Sequence, residues 1–160
     1  MSNPSNRSQP PTDAAGRPRA YERQSAVLMC VVAATLAVMS FLHLSGILGG
    51  GTKSFNPSAA GVAEAVICLV LSYGATGLLR TWPRAQTVAL AATGFAIVGF
   101  IIGLRFTLEG GEAIDIAYHL SVLPILLLTL IALLRIRIRG THRGRGTVRA
   151  NSGAKAIGPE

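Results

Sequence analysis

The sequence predicts an all-α protein, a four-helix transmembrane bundle with both termini on the cytoplasmic side. Three observations carry this. Four apolar runs of roughly 20 residues or more lie at about 25–48, 59–79, 86–108 and 115–136, the length that crosses a hydrocarbon core of about 30 Å. Joints rich in Gly or Pro separate them: GGGTKSFNPS, RTWPR and EGGEA. Lys and Arg are distributed unevenly about those joints, and that asymmetry sets the threading.

Composition points the same way. Half of the 160 residues are apolar and only 14% are charged, against about 25% in a soluble domain. The formal net charge of +8 is crowded at the two ends and one short joint. That is a topology signal rather than a nucleic-acid footprint, and no nucleic-acid partner is expected.

Residues 1–24 are rich in Pro, Ser, Asn and Arg and lack hydrophobic periodicity. They bury too little apolar surface to offset ordering entropy, so they read as a disordered cytoplasmic tail. The first apolar run is too long for the core of a signal peptide and reads as retained. A backbone crossing lipid must satisfy its own hydrogen bonds, and unbroken runs of this length do so as helices. Residues 25–136 thus form the membrane domain. Residues 137–160 read as a basic, disordered cytoplasmic tail, attracted to anionic lipid headgroups.

The N-tail, the joint between the second and third runs and the C-tail together hold 13 of the 15 Lys and Arg residues; the opposite side holds only Lys53 and Arg105. The positive-inside rule therefore puts both termini in the cytoplasm. Tyr21 and Trp82 fall at the inner interface, and Phe55, Phe106 and Tyr118 at the outer one. Cys30 and Cys68 both lie inside apolar runs and read as small buried hydrophobes rather than a disulfide framework.

Ionisable residues inside the spans are the candidates for function, because lipid is a costly place for a charge. His43 lies about five residues from the end of the first run, and Glu64 about five into the second. Arg105 is near the end of the third run. Asp115 and His119 open the fourth, four residues apart and hence on one helix face. At about 1.5 Å per residue, His43, Glu64 and His119 each sit roughly 6–8 Å below the outer boundary. All five fall at the outward end and read as a polar cluster, a candidate proton or ligand site. The plainer readings are a structural network with a salt bridge from Glu64 to Arg105 or His119, interfacial charges, or Asp115 as a helix cap.

Pro124, five residues beyond His119, removes a backbone hydrogen bond and reads as a hinge or a packing bend. Gly99 and Gly103 form a GxxxG that permits close helix contact, within the bundle or in a dimer. GILGGGTK lacks the glycine-lysine-serine/threonine ending of a phosphate loop, and neither a nucleophile elbow nor a paired-cysteine motif is present.

The segments GLRFTLEGGEAIDIAYHLSVLP (103–124) and FNPSAAGVAEAV (55–66) resemble small, uncharacterised four-helix membrane proteins of high-GC Gram-positive bacteria. The resemblance covers the last three runs and implies a bacterial plasma-membrane location without an activity.

Three functions fit these residues. The first is a non-enzymatic subunit or accessory, with a membrane-protein partner or a second copy of itself and no cofactor. The second is a proton- or cation-coupled carrier or sensor using Glu64. The third is a redox or metal module. In it, haem would bridge His43 and His119, or a divalent metal would bind among His43, His119, Glu64 and Asp115.

Overall fold

The computed structural model describes residues 20–49 and 56–153, with side chains described to residue 138 except at 136. Four helices follow in order: α1 Ala20–Leu44, α2 Pro57–Leu79, α3 Ala85–Gly110 and α4 Ala113–Gly153. Each contains a segment long and apolar enough to cross a membrane, in α4 the stretch Ala113–Arg135. Each helix packs on the next, and α4 returns to α1, so the bundle closes as a ring.

The termini of these helices have local causes. Gly46 adopts a left-handed backbone (φ 75°) just past α1, and its N–H bonds the carbonyl of His43, an ending that glycine accommodates without strain. This stops α1 at Leu44, four residues short of the end the apolar run predicts. Asn56 caps α2 by accepting from the amide of Ala59 at 3.2 Å, and Pro57 takes the first helical position. Between α2 and α3, Trp82 stacks edge-on against Tyr73 with ring centroids 5.2 Å apart. Gly111 leaves α3 in an extended conformation, its N–H on the carbonyl of Thr107 at 2.7 Å.

The inward face of each helix is a stripe stepping alternately three and four residues. On α1 it runs Ala26, Met29, Ala33, Leu36, Ser40, His43; on α4 it runs Asp115, His119, Val122, Leu126, Thr129, Leu133, all buried. On α2, Gly61, Glu64, Leu71 and Leu78 are buried on the same period; on α3, Ala89, Ala92, Ala96, Phe100 and Thr107. This spacing keeps one seam turned to the neighbours in a near-antiparallel bundle. The outer faces are apolar as well: Phe41, Val62, Leu69, Ile101 and Leu128 are all exposed. A bundle apolar outside and in is what a lipid solvent selects.

Several expectations need correction. Residues 20–24, read as part of a disordered tail, form the first turn of α1. The tail read as disordered from 137 is helical to Gly153. Once a helix is nucleated, each added residue costs only its own ordering, and no proline intervenes until Pro159. Cys30 faces outward, while Cys68 is half-buried; both are free thiols. Residues 1–19, 50–55 and 154–160, with the interface residue Phe55 and the outer cation Lys53, lie outside the described residues.

Candidate functional site

The four inward stripes turn polar at the same end of the bundle, the end of the α1–α2 and α3–α4 turns. His43 is the next-to-last residue of α1, Glu64 lies in the second turn of α2, Thr107 in the last turn of α3, and Asp115 and His119 open α4. All five are buried: His43 is 2% exposed, Glu64 5%, Asp115 1% and His119 7%. His43 therefore sits in a terminal helical turn rather than deep in a span, and neighbouring side chains shelter it.

The groups form a chain in which carboxylates alternate with imidazoles. Glu64 Oε2 is 2.9 Å from His43 Nδ1. His43 Nε2 is 3.7 Å from Asp115 Oδ2, within ion-pair range but too long for a hydrogen bond. Asp115 Oδ1 lies 3.2 Å from His119 Nδ1. That Nδ1 is also 2.9 Å from the main-chain carbonyl of Asp115. A carbonyl only accepts, so Nδ1 of His119 carries a proton, and Nε2 of the neutral ring is left as an acceptor. The Thr107 hydroxyl lies 3.2 Å from Asp115 Oδ2 and 2.9 Å from the carbonyl of Gly103; its one proton serves one of them at a time. Two buried oxygens, Glu64 Oε1 and Asp115 Oδ1, have no hydrogen-bond partner among the described residues.

Close helix approach holds this chain together. A Cβ on Gly61 would sit 3.1 Å from the Ser40 carbonyl and 3.1 Å from His43 Cβ, and the Ser40 hydroxyl donates to the Gly61 carbonyl at 2.7 Å. A Cβ on Gly103 would meet His119 Nε2 at 2.7 Å, and one on Gly99 would meet Ile67 at 2.6 Å. The GxxxG pair thus serves contacts of α3 with α4 and α2 inside the bundle. Phe100 packs against the His119 ring, centroids 5.1 Å apart. Tyr118 reaches α1 through a 3.0 Å hydrogen bond between its hydroxyl and that of Thr35.

Of the sequence candidates, His43, Glu64, Asp115 and His119 come together and Arg105 does not. Its side chain is 80% exposed and faces Glu109 one turn away at 3.5 Å. The salt bridge expected from Glu64 to Arg105 is replaced by the pair with His43. Asp115 does not lie at a capping position: it is the third residue of α4, with its side chain inside. α4 remains helical through Pro124, which is on its exposed side. Sequence reasoning missed Thr107 and Ser40. Both extend the inward stripes of their own helices, Thr107 seven residues beyond Phe100 and Ser40 four beyond Leu36, and that register was the available signal.

Ligand atoms of His43, Glu64 and Asp115 all lie within 4.8 Å of one another, a nitrogen and oxygen set suited to divalent first-row metals. A haem held between His43 and His119 is not supported, because the Asp115 carboxylate occupies the space between the two rings. Next to the cluster, α2 and α3 part to leave a crevice of about 590 Å³. Its walls are mainly apolar, and Glu64, Thr107 and His119 line it.

Comparison of the chain with protein-family models, curated proteins and solved structures found no match.

Proposed function

We propose that the protein is a multi-pass bacterial plasma-membrane protein, with both termini cytoplasmic, whose outward end holds a cation-binding centre that serves carriage or sensing. One observation carries this reading. Glu64 and Asp115 are carboxylates buried in an apolar bundle, and each keeps an oxygen that no hydrogen bond satisfies. Two ionised carboxylates without compensation are very costly in such surroundings. Arg105, the cation that the sequence places nearby, is turned outward. The centre therefore takes up positive charge whenever its acids are ionised.

Two sources of that charge fit the geometry. Protons on the His43 and His119 rings supply it internally. His43 faces Glu64 from α2 through Nδ1 and Asp115 from α4 through Nε2, so a positive charge on that ring lies within ion-pair range of both acids. A divalent metal at His43, Glu64 and Asp115 is the second source, favoured by the convergence of their ligand atoms. Either use needs exchange with the medium, and the crevice reaching Glu64 and His119 provides access.

The test is the thermal stability of the full chain in detergent, measured from about pH 5 to 8, where imidazoles titrate, and with added Zn²⁺ or Mn²⁺. A ligand at about 100 times its Kd stabilises by about 2.7 kcal/mol, a melting shift of several degrees. The native midpoint is expected to respond to pH or to metal, and Glu64→Gln to flatten that response. A native midpoint indifferent to both, or unchanged responses in Glu64→Gln, would leave the cluster as the structural network of an accessory subunit.

A further inference from the structure

We infer that the crevice between α2 and α3 binds a lipophilic organic cation, such as a hydrophobic ammonium, with its charge at Glu64. The inference rests on the cation-binding reading of Glu64 and names the class of molecule that site would take.

The space is of the right kind. Small-molecule sites are commonly cavities of about 300–1,000 Å³ with apolar walls and a few polar groups, and this crevice holds about 590 Å³. Ala63 on α2 presents a small side chain to the crevice, while Gly99 and Gly103 on α3 let Ile67 and His119 pack closely at its lining. Phe95 and Phe106 stand on its α3 wall with their side chains about half exposed. Both lie on the outward face of the bundle, so the crevice opens sideways to the surroundings of the helices. A molecule dissolved in the bilayer would reach it without first crossing water.

Charge selects the occupant. The polar side chains of the wall are Thr107, Asn56, whose Oδ1 caps α2, and the buried Glu64 and His119. Glu64 has one oxygen on His43; the other is buried, without a hydrogen-bond partner among the described residues. His119, its Nδ1 proton directed at the Asp115 carbonyl, is the second titratable group of the wall. A carboxylate in apolar surroundings repels anions and leaves neutral molecules without a complement, whereas a cation meets an ion pair there. Aromatic rings beside it add cation–π attraction. The apolar body fills the crevice.

Tetraphenylphosphonium and tetraphenylborate, nearly identical in shape and opposite in charge, make the test. Equilibrium dialysis with the purified full chain in detergent is expected to show saturable phosphonium binding and at least about tenfold weaker borate binding, tenfold being about 1.4 kcal/mol. Glu64→Gln is expected to weaken phosphonium binding by about tenfold or more. Ala63→Trp and Val98→Trp, both at exposed crevice positions, are expected to abolish it. Melting curves establish that each variant is folded. Equal binding of the two probes, no phosphonium binding by the native chain, or unchanged binding in both tryptophan variants would overturn the inference. If phosphonium binding is absent but the Glu64-dependent response persists, the crevice proposal falls and the cation centre stands.

Discussion

Glycine 61 and glycine 94 are the same residue type in the same kind of helix, and the structure gives them opposite roles. A Cβ at Gly61 would crowd the Ser40 carbonyl and the His43 side chain, whereas one at Gly94 would meet nothing within 4 Å. Backbone atoms of a neighbouring helix cannot swing aside as a long side chain can. Gly61→Ala is therefore expected to push α1 off α2 and lower stability by about 1–3 kcal/mol. Gly94→Ala is expected to raise it by about 0.5–1 kcal/mol, because alanine loses less backbone freedom in a helix. Thermal melts of the two variants in one detergent check the pair; equal effects would mean that α1 and α2 are not in close contact. Ser40 belongs to the same contact. Ser40→Ala removes its hydrogen bond to Gly61 and is expected to cost about 0.6 kcal/mol, the average for bonds between membrane helices, and at most about 1.7 kcal/mol.

At the scale of the element, α4 differs most from the others. Its 41 residues at about 1.5 Å each make a rod of about 60 Å, twice the hydrocarbon thickness. The part beyond Arg135 carries the arginines that the sequence places on the cytoplasmic side. Pro124 lies within the apolar part on the exposed side of the helix. Proline withholds the amide that would bond the carbonyl of Leu120 and crowds that carbonyl. Pro124→Ala is expected to restore the bond and raise the melting midpoint of the protein; a lower midpoint would show that the ring is needed for packing. In α1 the cause of the ending was visible but misread. The run FLHLSGILGGG is apolar well past Leu44, and hydropathy counts Ile47 and Leu48 as helix. The left-handed Gly46 decides otherwise.

For the whole molecule, orientation is a matter of charge outside the spans. On the proposed threading, with both termini inside, the turns after α1 and after α3 face outward, and the joint at Arg80–Arg84 faces inward. In a chain with Cys30 and Cys68 replaced by Ser, cysteines placed at Gly49 and Glu112 are expected to react with an impermeant maleimide added to intact cells. A cysteine at Arg80 is expected to react only after lysis, and the reverse pattern would invert the threading. The sequence by itself determined the four helices, because length and apolarity are properties of a single segment judged against lipid thickness. It also determined which titratable residues gather at one end, because up-and-down threading fixes each residue's height. Rotation of each helix about its axis, and so the partners of each side chain, was decided only by the tertiary structure. His43, Glu64, Asp115 and His119 turn inward because they continue stripes whose other members pack as Ala, Leu and Gly. Arg105, at a similar height, is two residues out of register with Thr107 and Gly103 and turns away. One chain holds no signal for which stripe meets which, since van der Waals fit between helices is a joint property of both surfaces.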